Sequence, residues 1–326
     1  MTAAPTASGA SAASAGRPVV PVPVLDVGGT HVTAALVDPT TGHPVPSSVV
    51  RRPLGSHAAA DGILDDIALT ALRLPPGHGP FWGVAMPGPF DYDTGIGRFT
   101  GIGKFESLSG VDVGAGLRGR LLDRAERLCF LNDADAFALG EHRVGAAEGH
   151  DRVVCLTLGT GIGSSFLRDG RPVHDGPDVP PAGHVHRLDI DGRPLEDTVS
   201  RRAIRLHHAR LAAPHREPDP REEFALPDVH EIAAAAEQGD TAAVEAFRYA
   251  FDALGRALAP WIDRFGATAV VVGGSMAQSW DLIHPAFARG LAQADRAPVR
   301  VLPARQSAAA PLIGAAHWVR STAGTS

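Results

Sequence analysis

Short apolar runs, most of them closed by glycine or proline, alternate along the chain with stretches of helical period. Residues 24–38 open the series with Val-Leu-Asp-Val-Gly-Gly-Thr-His-Val-Thr-Ala-Ala-Leu-Val-Asp. An apolar strand reaches Asp26, turns through Gly28, Gly29 and Thr30, and resumes where Val32, Ala34 and Leu36 alternate with Thr33, Ala35 and Val37. A period of two predicts strand–turn–strand. A dinucleotide-binding unit would place a helix after its glycines. Residues 46–52 add a third strand, and Ile63, Ile67 and Leu72 set a helix over 57–72. A buried strand over 81–86 stops at Pro87-Gly88-Pro89. Then come a loop over 90–109, a helix over 111–126 and a strand over 127–131. Asn132-Asp133 opens a helix over 134–144.

The pattern then starts again. Residues 153–158 read as a strand, 159–163 as a glycine turn and 164–168 as a strand, echoing the opening and pointing to two halves on one plan. A Pro- and His-rich loop over 172–186 leads to a helix near 197–211 and a charged, Pro-rich loop over 212–227. A long helical region over 228–265 breaks at Gly239. A strand over 267–272 meets Gly273-Gly274, which turns into a helix, and residues 308–319 form a last helix.

Four strand ends collect the candidate chemistry. A turn free of side chains, as at Gly28-Gly29-Thr30 or Gly159-Thr160-Gly161, lets backbone N–H groups cradle phosphate oxygens. It also serves as an ordinary hairpin turn. A carboxylate beside such a turn, Asp26, can hold Mg²⁺ or its waters. Asn132 and Asp133 stand where a helix begins, so either can cap it. Asp133 can equally accept a proton in a cleft, with its pKa held down by the helix dipole. Asp135 reads as a solvated or capping residue. Gly273 and Gly274 leave room for an adenine ring.

Bulk numbers narrow the class. With 326 residues, 44% of them hydrophobic, the chain exceeds one compact core. A formal charge of −6 and a pI near 6.2 argue against nucleic acid as the main partner. Cys129 and Cys155, in apolar runs, read as buried free thiols of a reducing, cytoplasmic setting. No apolar stretch reaches the ~20 residues of a membrane helix. Residues 1–18 are Ala-, Ser- and Thr-rich, lack a signal-peptide pattern and read as a disordered tail. Lys104 is the sole lysine, in Gly101-Ile-Gly-Lys-Phe105. It is either a surface lysine or a contact for a substrate oxygen or phosphate.

In this order the motifs resemble the ROK family of bacterial sugar kinases. The likeness runs over roughly residues 24–318: Asp26-Val-Gly-Gly-Thr30, Gly83-Val-Ala-Met-Pro-Gly-Pro89, Asn132-Asp-Ala-Asp-Ala-Phe-Ala-Leu-Gly-Glu141, Gly159-Thr-Gly-Ile-Gly163, Ala236-Glu-Gln-Gly-Asp240 and Val270-Val-Val-Gly-Gly274. The resemblance implies a two-lobed α/β fold of the actin-like ATPase and ribonuclease H-like type. The expected division is a smaller lobe over 19–131, joined by the C-terminal helix over 306–326, and a larger lobe over 132–305. It implies ATP and Mg²⁺, Asp133 as general base, and a homodimer. Phosphate binding falls to Asp26, Gly28, Gly29, Thr30, Gly159, Thr160 and Gly161, and adenosine binding to Gly273 and Gly274. Sugar contacts fall to Asn132, His184 and Glu196, with Gly103 and Lys104 on the loop that borders the sugar pocket.

Two departures qualify the resemblance. Related kinases carry a glutamate three residues before the histidine; here that position is Pro181, whose side chain accepts no hydroxyl. This puts glucose in doubt, or brings His186 into the contact set. Many relatives also hold a structural zinc with that histidine and three cysteines, and neither Cys129 nor Cys155 lies near His184 in sequence, so no zinc is expected. The zinc-less actinobacterial glucokinases that use polyphosphate have a similar pattern. Open alternatives are an aminosugar or cyclitol as acceptor and polyphosphate as donor. A sugar-sensing regulator is disfavoured, because the 23 residues before Val24 are too few for a helix-turn-helix unit.

Overall fold

A computed structural model describes residues 20–215, 225–292 and 299–323. The tail read over 1–18 lies outside them, as does part of the 212–227 loop. The first half runs β1 (Val22–Val27), β2 (His31–Val37), β3 (Val50–Pro53), α1 (Ala60–Ala71), β4 (Phe81–Met86), the small hairpin β5 (Phe90–Asp91) and β6 (Ile96–Gly97), α2 (Val113–Leu121), β7 (Arg127–Asn132) and α3 (Asp133–Val144). The second runs β8 (Arg152–Leu158), β9 (Ile162–Arg168), β10 (Arg171–Pro172), the hairpin β11 (Asp189–Ile190) and β12 (Arg193–Pro194), α4 (Glu196–Val199), α5 (Arg201–Ala212), α6 (Val229–Glu237), α7 (Thr241–Phe265), β13 (Ala269–Gly273), α8 (Trp280–Leu291), β14 (Arg300–Pro303) and α9 (Ala310–Ala323).

The two halves share one topology. The first sheet has the order β3-β2-β1-β4-β7 and the second β10-β9-β8-β13-β14. In each, the central strand pairs antiparallel with the strand that follows its glycine turn and parallel with the next one across. Both glycine turns therefore occupy the same place in their sheets.

Local chemistry explains where elements stop. Pro46–Ser48 forms a 3-10 turn, with Ser48 Oγ accepting the Leu36 N–H at 2.9 Å, so β3 starts only at Val50. The helix expected over 111–126 ends at Leu121, and one 3-10 turn, Leu122–Arg124, follows. Ser200 splits the helix expected near 197–211 by capping α5 through the Ala203 N–H. Asp240 caps α7 after the break at Gly239. A 3-10 turn, Ser275–Ser279, separates Gly274 from α8.

Each sheet has an outer core, with α1 and α2 on the first and α6, α7 and α8 on the second. A third cluster joins the inner faces through α3 and α9. Those helices cross in backbone contact. A Cβ on Gly140 would stand 2.0 Å from Ala310 O, and one on Gly314 1.8 Å from Ala136 O, so both positions need glycine. Buried Glu141 accepts the backbone N–H groups of Ala146, Arg305 and Gln306 and ties the end of α3 to the approach of α9. Helix α9 packs on β1, β4 and β7. Among the described residues no helix is long and apolar enough to cross a membrane.

Candidate active site

The first turn is closed by the Gly28 N–H, which donates to His31 O at 2.8 Å. Asp26, one residue before the end of β1, lies in register with Thr33 on β2 and Ala85 on β4. Burial pushes its pKa up to about 7, the Asp133 carboxylate adds to the rise, and Arg51 on β3 opposes it. Thr30, at the exposed corner, hydrogen-bonds the His31 ring at 2.9 Å.

Asp133 follows β7 and begins α3. The cap is supplied by Asn132, whose Oδ1 accepts the N–H groups of Ala134 and Asp135 at 2.9 and 3.3 Å, while its Nδ2 donates to Tyr92 Oη at 2.9 Å. Asn132 is thus largely spent on protein contacts. Asp133 Oδ1 also accepts the Ala134 N–H at 2.9 Å. The pKa of Asp133 is raised, not held down as the helix dipole alone would have it. Burial is the largest cause, and Lys104 is the strongest opposing influence. A desolvated carboxylate that still faces a cation is suited to take up a proton.

Lys104 sits on a loop bent through left-handed residues at Gly101, Gly103 and Phe105. Phe105 is fully buried, and its N–H donates to Ser56 O at 2.7 Å. The Gly103 N–H donates to Glu106 Oε1 at 2.9 Å, so Gly103 shapes the loop. Beside it a cavity of about 260 Å³ is lined by Ser56, His57, Ala58, Gly103, Glu106 and Ser107, sharing only Gly103 with the expected site. The lysine stem crosses the first turn. A Cβ on Gly29 would stand 3.7 Å from Lys104 Cδ and 3.9 Å from Nζ.

The second turn is closed by the Gly159 N–H, which donates to Gly161 O at 3.0 Å, with Thr160 exposed between them. Glu196, at the start of α4, leans on it. A Cβ on Gly161 would stand 2.2 Å from Glu196 Oε1, and the carboxylate accepts the Ile162 N–H. Burial raises the Glu196 pKa, and Lys104 is among the influences lowering it. Gly274 (φ 87°) lies against the Leu158 backbone, and a Cβ on Gly273 would strike the Phe137 ring at 2.5 Å. This late pair joins β13 to β8 and α3 by close packing.

The loop bearing His184 is pinned to β9. Ser164 Oγ donates to Gly183 O at 2.7 Å and accepts the Val185 N–H at 3.0 Å. His184 is half-buried, and its Nδ1 is buried without a hydrogen-bond partner. Burial, then His186 and Arg187, pushes its pKa down to about 4, so the ring is neutral near pH 7. Its ring centroid lies 4.9 Å from that of His186. Pro181 is exposed and opens a 3-10 turn, Pro181–Gly183, adding no polar group.

The structure departs from the expectation at Asp135. Asp135 is neither solvated nor a cap; it is 5% exposed, accepts Ser165 Oγ at 2.6 Å and binds His174 Nε2 at 2.8 Å. The hydrogen bond to Asp135 holds the His174 pKa above its usual value. Asp135 thereby connects the helix that carries Asp133 to the histidine loop. Asp135 lies in the first turn of α3, where the sequence alone does not tell a capping acid from a buried one. Tyr92, which holds Asn132, gave no sequence signal.

Among the described residues no cluster of three or more His, Cys, Asp or Glu side chains could hold a metal ion. Mg²⁺ fits Asp26 in another way. A raised carboxylate pKa beside a second carboxylate is what a nearby divalent cation relieves, and Mg²⁺ commonly takes one protein carboxylate with waters and phosphates.

The ROK family pattern matches residues 23–322. The glucokinase of Thermotoga maritima is 32% identical over 283 residues, covering 79% of this chain and 83% of that protein. A crystal structure of a ROK family glucokinase from Streptomyces griseus in complex with glucose and AMPPNP superposes with a TM-score of 0.74 at 26% identity, over 92% of this chain and 99% of the other. The inorganic polyphosphate/ATP-glucomannokinase of Arthrobacter sp. strain KM gives a TM-score of 0.65 at 25% identity, over 93% and 99%.

Proposed function

The chain belongs to the ROK family and is a sugar kinase with the two-lobed, actin-like fold, and we propose that it transfers the γ-phosphoryl group of ATP, with Mg²⁺, to a hydroxyl of a hexose or hexose-like sugar. The observation that carries this reading is Asp133. It is a desolvated carboxylate at the start of α3, facing Lys104, with Asn132 taking the capping duty.

The sugar hydroxyl oxygen attacks the γ-phosphorus, its proton passes to Asp133, and the bond to the β-phosphate oxygen breaks with its electron pair leaving on ADP. Gly28, Gly29, Thr30, Gly159, Thr160 and Gly161 cradle the phosphates, and Gly273 and Gly274 border the adenosine. Asp26 would hold Mg²⁺ through water, and the ion would offset phosphate charge. His184, neutral with an unpaired Nδ1, and Glu196 contact sugar hydroxyls, with Gly103 and Lys104 on the bordering loop. Asp135–His174 and Ser164 hold the histidine loop, which supports a zinc-less reading. The lobes divide near residues 131 and 305, and the enzyme works as a homodimer.

One observation favours a second reading of the substrates. Pro181 offers no polar side chain where related kinases carry a glutamate, which puts glucose in doubt and favours an aminosugar or cyclitol. The likeness to the Arthrobacter enzyme keeps polyphosphate open as donor. A coupled ADP-release screen over hexoses, aminosugars and cyclitols, repeated with polyphosphate by direct product assay, tests the reading. Turnover of at least one acceptor is expected; no turnover on any of them refutes it.

A further inference from the structure

We propose that Lys104 is a catalytic residue that neutralises the transferring phosphoryl group, rather than a sugar contact; the inference rests on the sugar-kinase reading. The loop geometry comes first. Left-handed backbone at Gly101 (φ 74°), Gly103 (φ 77°) and Phe105 (φ 58°) brackets the lysine, and buried Phe105 anchors the bend. The side chain is thereby directed over the first glycine turn, with Nζ 3.9 Å from where a Cβ of residue 29 would stand.

The company Lys104 keeps comes second. Its ammonium acts on Asp133, at the start of α3, and on Glu196, at the start of α4. Among the described residues it forms no salt bridge, unlike many of the surface arginines. A phosphoryl group entering at Gly28–Thr30 meets the carboxylates of Asp26 and Asp133. Arg51, the cation that acts on Asp26, is exposed on β3. An anion entering such a site needs positive charge beside it; Mg²⁺ at Asp26 would supply part, and Lys104 is the cation that this chain places over the turn.

The chemistry of the residue comes third. All 30 basic residues except Lys104 are arginines. A phosphoryl group in flight presents equatorial oxygens that shift as the bonds exchange, and a compact ammonium with three rotatable donors follows them better than a planar fork. As the hydroxyl oxygen bonds to the γ-phosphorus and the bridging bond gives its pair to ADP, Lys104 stays protonated and donates to those oxygens. The hydroxyl proton goes to Asp133.

The test compares Lys104→Met and Lys104→Arg with the parent protein, using steady-state kinetics on the best acceptor and calorimetric binding of AMPPNP and of ADP. For Lys104→Met we expect kcat to fall about 100-fold or more, as when one charge-stabilising donor is lost. Sugar KM should stay within about threefold. AMPPNP, which carries the γ-group, should weaken about tenfold while ADP is unchanged, and Lys104→Arg should recover part of kcat. An unchanged kcat, equal weakening of AMPPNP and ADP, or a loss confined to sugar KM would each overturn the proposal. If the parent protein phosphorylates no sugar, the sugar-kinase reading fails by itself, and the AMPPNP-to-ADP contrast still decides the role of Lys104.

Discussion

The two glycine turns occupy the same position in two sheets of the same order, yet they carry opposite charge. Over the first, Lys104 brings an ammonium. Over the second, Glu196 brings a carboxylate against Gly161. One residue before each strand end the first half has Asp26 and the second Thr157. The repeat supplies the glycine turn, a proposed phosphate cradle, twice. The charge that tells the cradles apart comes from outside it, from the loop after β6 and from the start of α4. Shared topology sets where groups can meet, and local insertions set what they do. On this account both turns cradle phosphates, with the group in transfer at the first, and the Glu196 carboxylate beside the second faces the acceptor.

The largest effect that would break this contrast lies at Asp26. Asp26→Asn should lower turnover about 100-fold or more. It should also stabilise the free protein. The native carboxyl keeps its proton up to about pH 7, whereas an unperturbed one releases it near 3.8. The native state therefore binds more protons across that interval, and stability falls as pH rises through it. Removing the charge should return on the order of 2 kcal/mol at pH 8, after allowing for solvent screening at a partly buried group, and nothing near pH 4. Thermal unfolding at both pH values checks this; equal gains at both would contradict it.

A pair of smaller changes sharpens the comparison. Gly161→Ala places a Cβ 2.2 Å from Glu196 Oε1 and must displace that carboxylate, whereas Gly29→Ala makes ordinary contact at 3.7 Å with the lysine stem. We expect sugar KM to rise about tenfold in Gly161→Ala and to change little in Gly29→Ala, where AMPPNP affinity moves instead. Matching kinetic profiles for the two variants would erase the proposed division of labour.

The smallest effect concerns His174. Its pKa is raised by Asp135, so the stability it contributes is fully present below the ordinary histidine value and is lost as pH rises through the raised one. His174→Ala should lower Tm by a few degrees, on the order of 3 °C, at pH 6. The loss should shrink by pH 9, with a modest rise in sugar KM. A Tm loss independent of pH would assign His174 a packing role only.

Much of this arrangement was legible in the sequence because it lies in periodic strands and their stops. The alternation after Gly29 marked the strand–turn–strand, and its echo at Gly159 marked the duplication. What escaped lies in contacts between distant segments. Asp135 looked like a surface acid because its partners, Ser165 and His174, are 30 and 39 residues away. The direction of the Asp133 pKa escaped for the same reason, since burial by other elements outweighs the local helix end. Strand β14 carries only Arg-Val-Leu-Pro, too short a run to show a period, and is fixed by pairing with β13.

The most direct test of the account is Asp133→Asn, which keeps the shape of the side chain and removes its capacity to take a proton. Single-turnover transfer from γ-labelled ATP to the preferred sugar should slow by about 10²–10⁴, while AMPPNP affinity stays within about threefold. Transfer at the parental rate in this variant would contradict the assignment of Asp133 as the base, and with it the site built around the two turns.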